Sequence, residues 1–182
     1  MTGWYHPDMA HAWRPAAEKV VSLDALLAAL TSRRAAGARV ALTNGTFDLL
    51  HVGHLRSLEQ ARANGDLLVV CVNSDASVRS YKAPGRPIVR QAERAELIAG
   101  LACVDYVVIF DEPTAARLVE AIRPDVYVKG ADYATKPLPE RPIVEAYGGT
   151  VVLVPLEAGH STTDLVADVV RRYAPSAREP AD

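Results

Sequence analysis

Six consecutive apolar side chains, Leu67 to Val72, run between Asp66 and Asn73. Alternation of apolar and polar residues would mark a strand with one wet face; an unbroken short run marks a strand covered on both faces, the hallmark of a parallel sheet. Parallel neighbours need crossover connections, so helical segments must flank this run. They do. Ser22 is placed to cap a helix whose apolar residues Leu23, Leu26, Leu27 and Leu30 recur at helical spacing, with Gly37 as its stop. A strand over Arg39–Thr43 follows, then a helix from Val52 to Asn64. Beyond the central run the pattern predicts a long polar loop over Ser74–Arg90, a helix over Gln91–Leu101 and a strand over Tyr106–Phe110. A helix over Thr114–Ile122, a strand from Asp125 to Gly130 and a polar, proline-rich loop over Ala131–Pro142 come next. A brief helix reaching Tyr147, a strand over Val151–Val154 and a last helix capped by Ser161-Thr162-Thr163-Asp164 complete the series.

Strands alternating with helices and no internal repeat predict an α/β fold. It is Rossmann-like, with three layers α/β/α around a parallel sheet of about five strands. The expected organisation is an irregular arm over 1–17, one domain over 18–173 and a tail over 174–182. Trp4 and Trp13 in the arm are placed either to dock or to extend into solvent, and His6 and His11 are taken as surface residues.

Composition bounds what such a domain can do. A net charge of −2 and a pI near 6.2 lack the basic footprint of a general nucleic-acid binder. A mean hydropathy of +0.04 and the absence of a run of roughly 20 apolar residues argue against a membrane span. Met1 to Pro7 has no basic segment leading into an apolar core, so no signal peptide is expected. Cys71 and Cys103 sit in or beside apolar runs without metal or redox spacing, and are expected as buried thiols in a reducing compartment, the cytoplasm.

In open parallel sheets, ligands bind beyond the C-terminal strand ends. The chemistry-bearing residues of this chain fall there: Asn44–His54 after the first strand, Lys82 and Arg86 after the second, Lys129–Asp132 after the fourth, and Ser161–Thr163 after the fifth. His51 and His54 flank Gly53 where a helix starts, so two imidazoles stand beside free N–H groups and a positive dipole end. That arrangement suits an anion, and reactions that build charge on phosphorus. Other readings stand beside this one. His51 and His54 could be half of a metal site, Asp48 fits an Asx-turn as well as a ligand contact, and Phe47 fits the core. Lys82 and Arg86 could be solvated surface charges, and Ser161–Thr163 could cap a helix with or without holding phosphate. Neither a Gly-x-x-x-x-Gly-Lys-[Ser/Thr] loop nor a Gly-x-Gly-x-x-Gly turn is present, which sets aside P-loop hydrolysis and dinucleotide redox chemistry.

The stretch Gly45-Thr46-Phe47-Asp48-Leu49-Leu50-His51-Val52-Gly53-His54 resembles the signature of the cytidylyltransferase-like nucleotidyltransferases. Within them, Thr43-Asn44-Gly45, Val72–Ser77, Lys82 with Gly85-Arg86-Pro87, Val128–Tyr133 and Ser161–Thr163 are similar to the adenylyltransferases of ADP-heptose synthesis. The similarity runs from about Glu18 to Tyr173 and looks like the stand-alone form, without a fused sugar kinase. It implies attack of a heptose 1-phosphate on the α-phosphorus of ATP, with pyrophosphate released and Mg²⁺ accompanying the triphosphate. His51, His54 and Lys129 would be the catalytic groups. Thr43, Asn44, Gly45, Thr46, Phe47, Gly53, Lys82, Arg86, Arg94, Gly130, Ser161, Thr162 and Thr163 would hold nucleotide and phosphates, and Asp48 and Asp132 the acceptor. The resemblance also implies a homodimer. Gly-Thr-Phe-Asp is the form familiar from glycerol-3-phosphate cytidylyltransferases, so cytidylyl transfer to a polyol phosphate stands as an alternative. Guanylyl transfer to a heptose phosphate, and a nucleotide-binding regulator without turnover, are the others.

Overall fold

A computed structural model describes residues 14–155, 159 and 161–173. Trp4, Trp13, His6, His11, His160 and the tail from Ala174 lie outside the described residues. Five strands, β1 (Val40–Gly45), β2 (Leu67–Asn73), β3 (Tyr106–Phe110), β4 (Val126–Gly130) and β5 (Thr150–Val154), form one parallel sheet in the order β3-β2-β1-β4-β5. The order reverses at β1, so the crevice between β1 and β4 is the switch point at which such sheets take ligands. Every residue of β2 is buried, as its unbroken apolar run requires.

Eight helices complete the described chain: α1 (Ala16–Lys19), α2 (Leu23–Ala35), α3 (Val52–Arg62), α4 (Asp75–Tyr81), α5 (Gln91–Ala99), α6 (Ala116–Ile122), α7 (Arg141–Ala146) and α8 (Thr162–Tyr173). Two separate cores show that helices cover both faces. Leu26, Leu30, Leu118, Ile122 and Val144 of α2, α6 and α7 pack on one side, and Leu58, Ala61, Ala95 and Ile98 of α3 and α5 on the other. Ser22 caps α2 as its position predicts, its Oγ accepting from the Ala25 N–H at 3.2 Å. No helix among the described residues is long and apolar enough to cross a membrane. Cys71 is buried and Cys103 half-buried, both as free thiols; burial pushes the Cys71 thiol up to about 12.

Three elements differ from the sequence pattern. The expected loop over Ser74–Arg90 contains α4, whose start is fixed by Ser74 Oγ accepting from the Ser77 N–H at 3.1 Å. Only Ser77 and Val78 of that helix are buried, so it carries no apolar stripe to announce it. The expected loop from Ala131 opens with a 3₁₀ turn, Ala131–Ala134. Helix α1 begins inside the segment expected to be an irregular arm, and beyond it Val20 bridges to Val107 on the outer edge of β3.

The N-terminal ends of the strands share one device. Asp66, Asp105 and Asp125 stand just before β2, β3 and β4, and each accepts a backbone N–H near the start of the neighbouring strand. The donors are Arg39, Leu68 and Val40, at 2.8, 2.8 and 2.7 Å. These carboxylates satisfy amides that the sheet ladder leaves over at its edge.

Candidate active site

Beyond the C-terminal ends of β1, β2 and β4 lies a cavity of about 540 Å³. The end of β1 supplies Thr43, Asn44, Gly45 and Thr46, followed by Phe47 and Asp48; β4 and the 3₁₀ turn supply Lys129, Gly130 and Asp132. His54 faces it from the first turn of α3, Ser161, Thr162 and Thr163 from the start of α8, and Lys82 and Arg86 from the segment after α4. The topology thus gathers into one wall set most of the residues singled out from sequence. A larger groove of about 760 Å³ follows the outer flank of α3 past Arg56, Glu59 and Cys103. It lies away from the strand ends, and neither His54 nor Lys129 lines it.

The turn from β1 into α3 explains the histidines' placement. Phe47 adopts a positive φ of 47°, which folds its ring back over Gly45, where an added Cβ would stand 3.1 Å from the ring. The ring then meets His54 edge-on at 5.3 Å, and His54 stacks on His51 with centroids 3.8 Å apart. His51 holds the N-cap position of α3 without a side-chain cap bond, and Gly53 is buried in the first turn. The His54 amide bonds back to His51 O at 2.9 Å, so the Val52 and Gly53 amides begin the helix without intrahelical acceptors. Burial, and then the neighbouring His51, pull the His54 imidazole down to about 4 from its ordinary 6.5. At neutral pH it is an uncharged donor beside a helix N-terminus.

Lys129, at the end of β4, lines the same cavity and is 8 % exposed. Its Nζ donates to Asn44 Oδ1 at 3.0 Å and to Asn44 O at 3.3 Å, and sits 4.4 Å from the centroid of the Tyr133 ring. Asn44 Oδ1 also accepts from Tyr127 Oη at 2.6 Å, which fixes the amide's orientation. Burial lowers the Lys129 ammonium below its ordinary value, with Glu140 and Asp132 opposing. Ser161 does cap α8: its Oγ accepts from the Asp164 N–H at 3.0 Å and donates to Asp164 Oδ2 at 2.7 Å. Thr162 Oγ1 donates to Leu49 O at 3.4 Å, tying α8 to the loop before α3.

Two predicted contact residues are held by partners within the protein. Arg94 does not line the cavity; it is fully buried behind it. Its Nε donates to Val89 O at 2.9 Å, Nη1 to Thr46 O, and Nη2 to Asn73 O and Asp75 Oδ1, both at 2.8 Å. It therefore acts through Thr46 and Asn73, which do line the cavity. Asp48 is neither an Asx-turn nor a free carboxylate. Its Oδ1 accepts the amides of Ile88 and Val89 at 2.8 and 2.9 Å, and Oδ2 pairs with Arg86 Nε at 2.7 Å. Asp132, on the rim, pairs with Lys136 at 2.8 Å.

Ser57, Asn73, Tyr81, Pro113 and Tyr133 also line the cavity and were not among the expected contacts. Tyr81 is the most consequential, because its hydroxyl meets Thr46 Oγ1 at 2.7 Å across the cavity wall. It ends α4, and its signal was the Ser74-Asp75 start of that helix. Among the described residues no three His, Cys, Asp or Glu side chains group into a site able to hold a metal ion.

The family model for cytidylyltransferase-like proteins matches residues 42–172, from β1 into α8. The chain belongs to this family. It is 49 % identical over 155 residues to the bifunctional protein HldE of Geobacter sulfurreducens, covering 85 % of the chain and 32 % of that protein. It is 50 % identical over 152 residues to the HldE of Caulobacter sp. K31, covering 84 % and 31 %. The chain thus spans about a third of the length of the curated relatives it matches. Among solved structures it resembles the lipopolysaccharide core biosynthesis protein from Thermoplasma volcanium, with a TM-score of 0.54 and 29 % identity over 66 % of this chain and 97 % of that one. Pantothenate synthetase from Thermus thermophilus shares the fold, with a TM-score of 0.52 and 24 % identity over 84 % and 72 %. As a family member the chain is a nucleotidyltransferase.

Proposed function

We propose that this chain transfers AMP from ATP to a heptose 1-phosphate, forming an ADP-heptose and pyrophosphate, in the cytoplasm and as a homodimer. The observation that carries the reading is the pairing, in one cavity, of uncharged His54 at the start of α3 with Lys129 at the end of β4. The HldE relatives support the heptose acceptor. An apolar stripe on α8, Leu165, Val169 and Tyr173, is exposed at four-residue spacing and supports the dimer.

In this reading the triphosphate lies against the open amides of α3. An oxygen of the sugar phosphate attacks the α-phosphorus in line, and the bond from that phosphorus to the bridging oxygen breaks. The departing pyrophosphate takes the negative charge. His54, uncharged, donates a hydrogen bond to phosphate oxygens, while Lys129 offers positive charge from the end of β4. Arg94, through Thr46 and Asn73, holds the floor in place. Mg²⁺ prefers phosphate oxygens and water to an all-protein cage, and in this proposal it arrives on the triphosphate.

Pyrophosphate release, measured with ATP, CTP and GTP against heptose 1-phosphates, glycerol 3-phosphate and other sugar phosphates, tests the reading. Turnover with ATP and a heptose 1-phosphate is expected. Turnover confined to CTP and glycerol 3-phosphate would overturn both base and acceptor, and tight ATP binding without turnover on any acceptor would make the chain a nucleotide-binding regulator.

A further inference from the structure

The opposite edge of the sheet holds a second cavity of about 400 Å³, where α2, α6 and α7 end and β1, β4 and β5 begin. Three arginines line it, Arg34, Arg39 and Arg123, together with Tyr147 and Asp125. Arg34 is oriented by its Nη2, which donates to the carbonyls of Ile122 at 2.7 Å and Arg123 at 2.8 Å. Its Nε and Nη1 make no hydrogen bond among the described residues. The Arg123 guanidinium lies 5.0 Å from the centroid of the Tyr147 ring, and none of the three arginines has an ion-pair partner among the described residues. Tyr147 Oη is shielded from solvent and has no hydrogen-bond partner among the described residues. Buried phenols are ordinarily satisfied, so this hydroxyl lacks an acceptor.

The charge balance favours an anion. Asp125, the carboxylate on the cavity wall, already accepts the Val40 N–H through Oδ2, and Asp66 accepts the Arg39 N–H. Burial holds the Tyr147 phenol up at about 12 even though Arg123 and Arg34 pull it down, so it is a neutral donor at physiological pH. Arginines at helix C-termini also offset the negative dipole ends, and Arg34 does so for α6. That role does not account for Arg39, which precedes a strand, or for the unpartnered Tyr147 hydroxyl. The turn is also shaped closely: a Cβ at Gly149 would stand 2.7 Å from the Tyr147 ring and 3.0 Å from Pro124 O. We propose that Arg34, Arg39, Arg123 and Tyr147 form a second binding site, separate from the nucleotidyl-transfer cavity, for a small molecule carrying a phosphate or pyrophosphate group. Guanidinium forks and a phenol donor match the oxygens of such a group.

Backbone amide NMR of the full chain, titrated with inorganic pyrophosphate, tests this without reference to activity. The amides of Gly148, Gly149 and Thr150 should shift saturably, on a binding curve of their own, apart from the shifts of Gly45 and Gly53 that report the other cavity. In Arg39→Gln, whose exposed side chain makes no hydrogen bond among the described residues, the affinity read at Gly148 and Gly149 should fall about tenfold while Gly45 responds as before. The double variant Arg34→Gln/Arg39→Gln should abolish the response. Amides of Gly148 and Gly149 that stay fixed, that respond equally in Arg39→Gln, or that follow sodium chloride at matched ionic strength would overturn the proposal.

Discussion

The two ends of the sheet use side-chain charges in different ways. At the N-terminal edge Asp66, Asp105 and Asp125 each accept a backbone N–H near the start of the neighbouring strand, and Asp105 also pairs with Arg62 of α3 at 3.5 Å. At the C-terminal edge Asp48 reaches the amides of Ile88 and Val89, and Arg94 links Thr46, Asn73, Asp75 and Val89. The first set fastens edges that the ladder already aligns. The second ties together loops distant in sequence, and those loops carry the cavity. The carboxylates at one end therefore serve stability, whereas Asp48 and Arg94 at the other serve stability and geometry together.

The contrast is broken most strongly at Arg94. Arg94→Met strands Asp75 and the carbonyls of Thr46, Asn73 and Val89, at a cost of about 3–5 kcal/mol in urea unfolding, and turnover should fall at temperatures where the variant remains folded. Lys129→Met comes next and sharpens the comparison. An apolar side chain of similar length should leave stability equal or higher, since no buried ammonium remains, while turnover falls by about 10²–10³, near 2.7–4 kcal/mol in barrier. At the other edge Asp125→Asn should cost only about 1 kcal/mol by the same unfolding measurement and leave turnover unchanged. An Asp125 variant that folds normally but loses turnover would erase the distinction between the two ends.

The smallest expected effect is in acid. His54 titrates at about 4 in the folded protein and near 6.5 when unfolded. As pH falls through that window the unfolded chain gains a proton that the folded chain does not, so stability is lost from about pH 6.5 down to about 4. His54→Ala should show a shallower decline over that window, seen as a smaller change in denaturant midpoint. Its partial exposure keeps the difference modest.

What the sequence made legible follows the same division. The buried run of β2, the Ser22 cap and the His51–His54 turn are local patterns, and the structure places each where its spacing predicts. Because parallel strands send their C-terminal loops to one side, the gathering of Asn44, His54, Lys129 and Ser161 was readable as well. The partners of Asp48 were not, since Ile88 and Val89 lie 40 and 41 residues away and offer backbone amides, which no residue identity reveals. Arg94 left a signal of a different kind: it shares the buried face of α5 with Ala95, Ile98 and Ala99, a position where a charge must have buried partners. Helix α4 was hidden by its shortness and polar surface, and Tyr81 was hidden with it.

The most direct test of the central claim compares His54→Ala with the unaltered protein, measuring both the turnover number for pyrophosphate release from ATP with a heptose 1-phosphate and the dissociation constant for ATP. A donor that acts on charge developing in the transition state predicts turnover lowered by about 10²–10³ with ATP affinity nearly unchanged. Turnover retained within a fewfold, or affinity and turnover lost in equal measure, would contradict the role assigned to His54 and with it the placement of the reaction in this cavity.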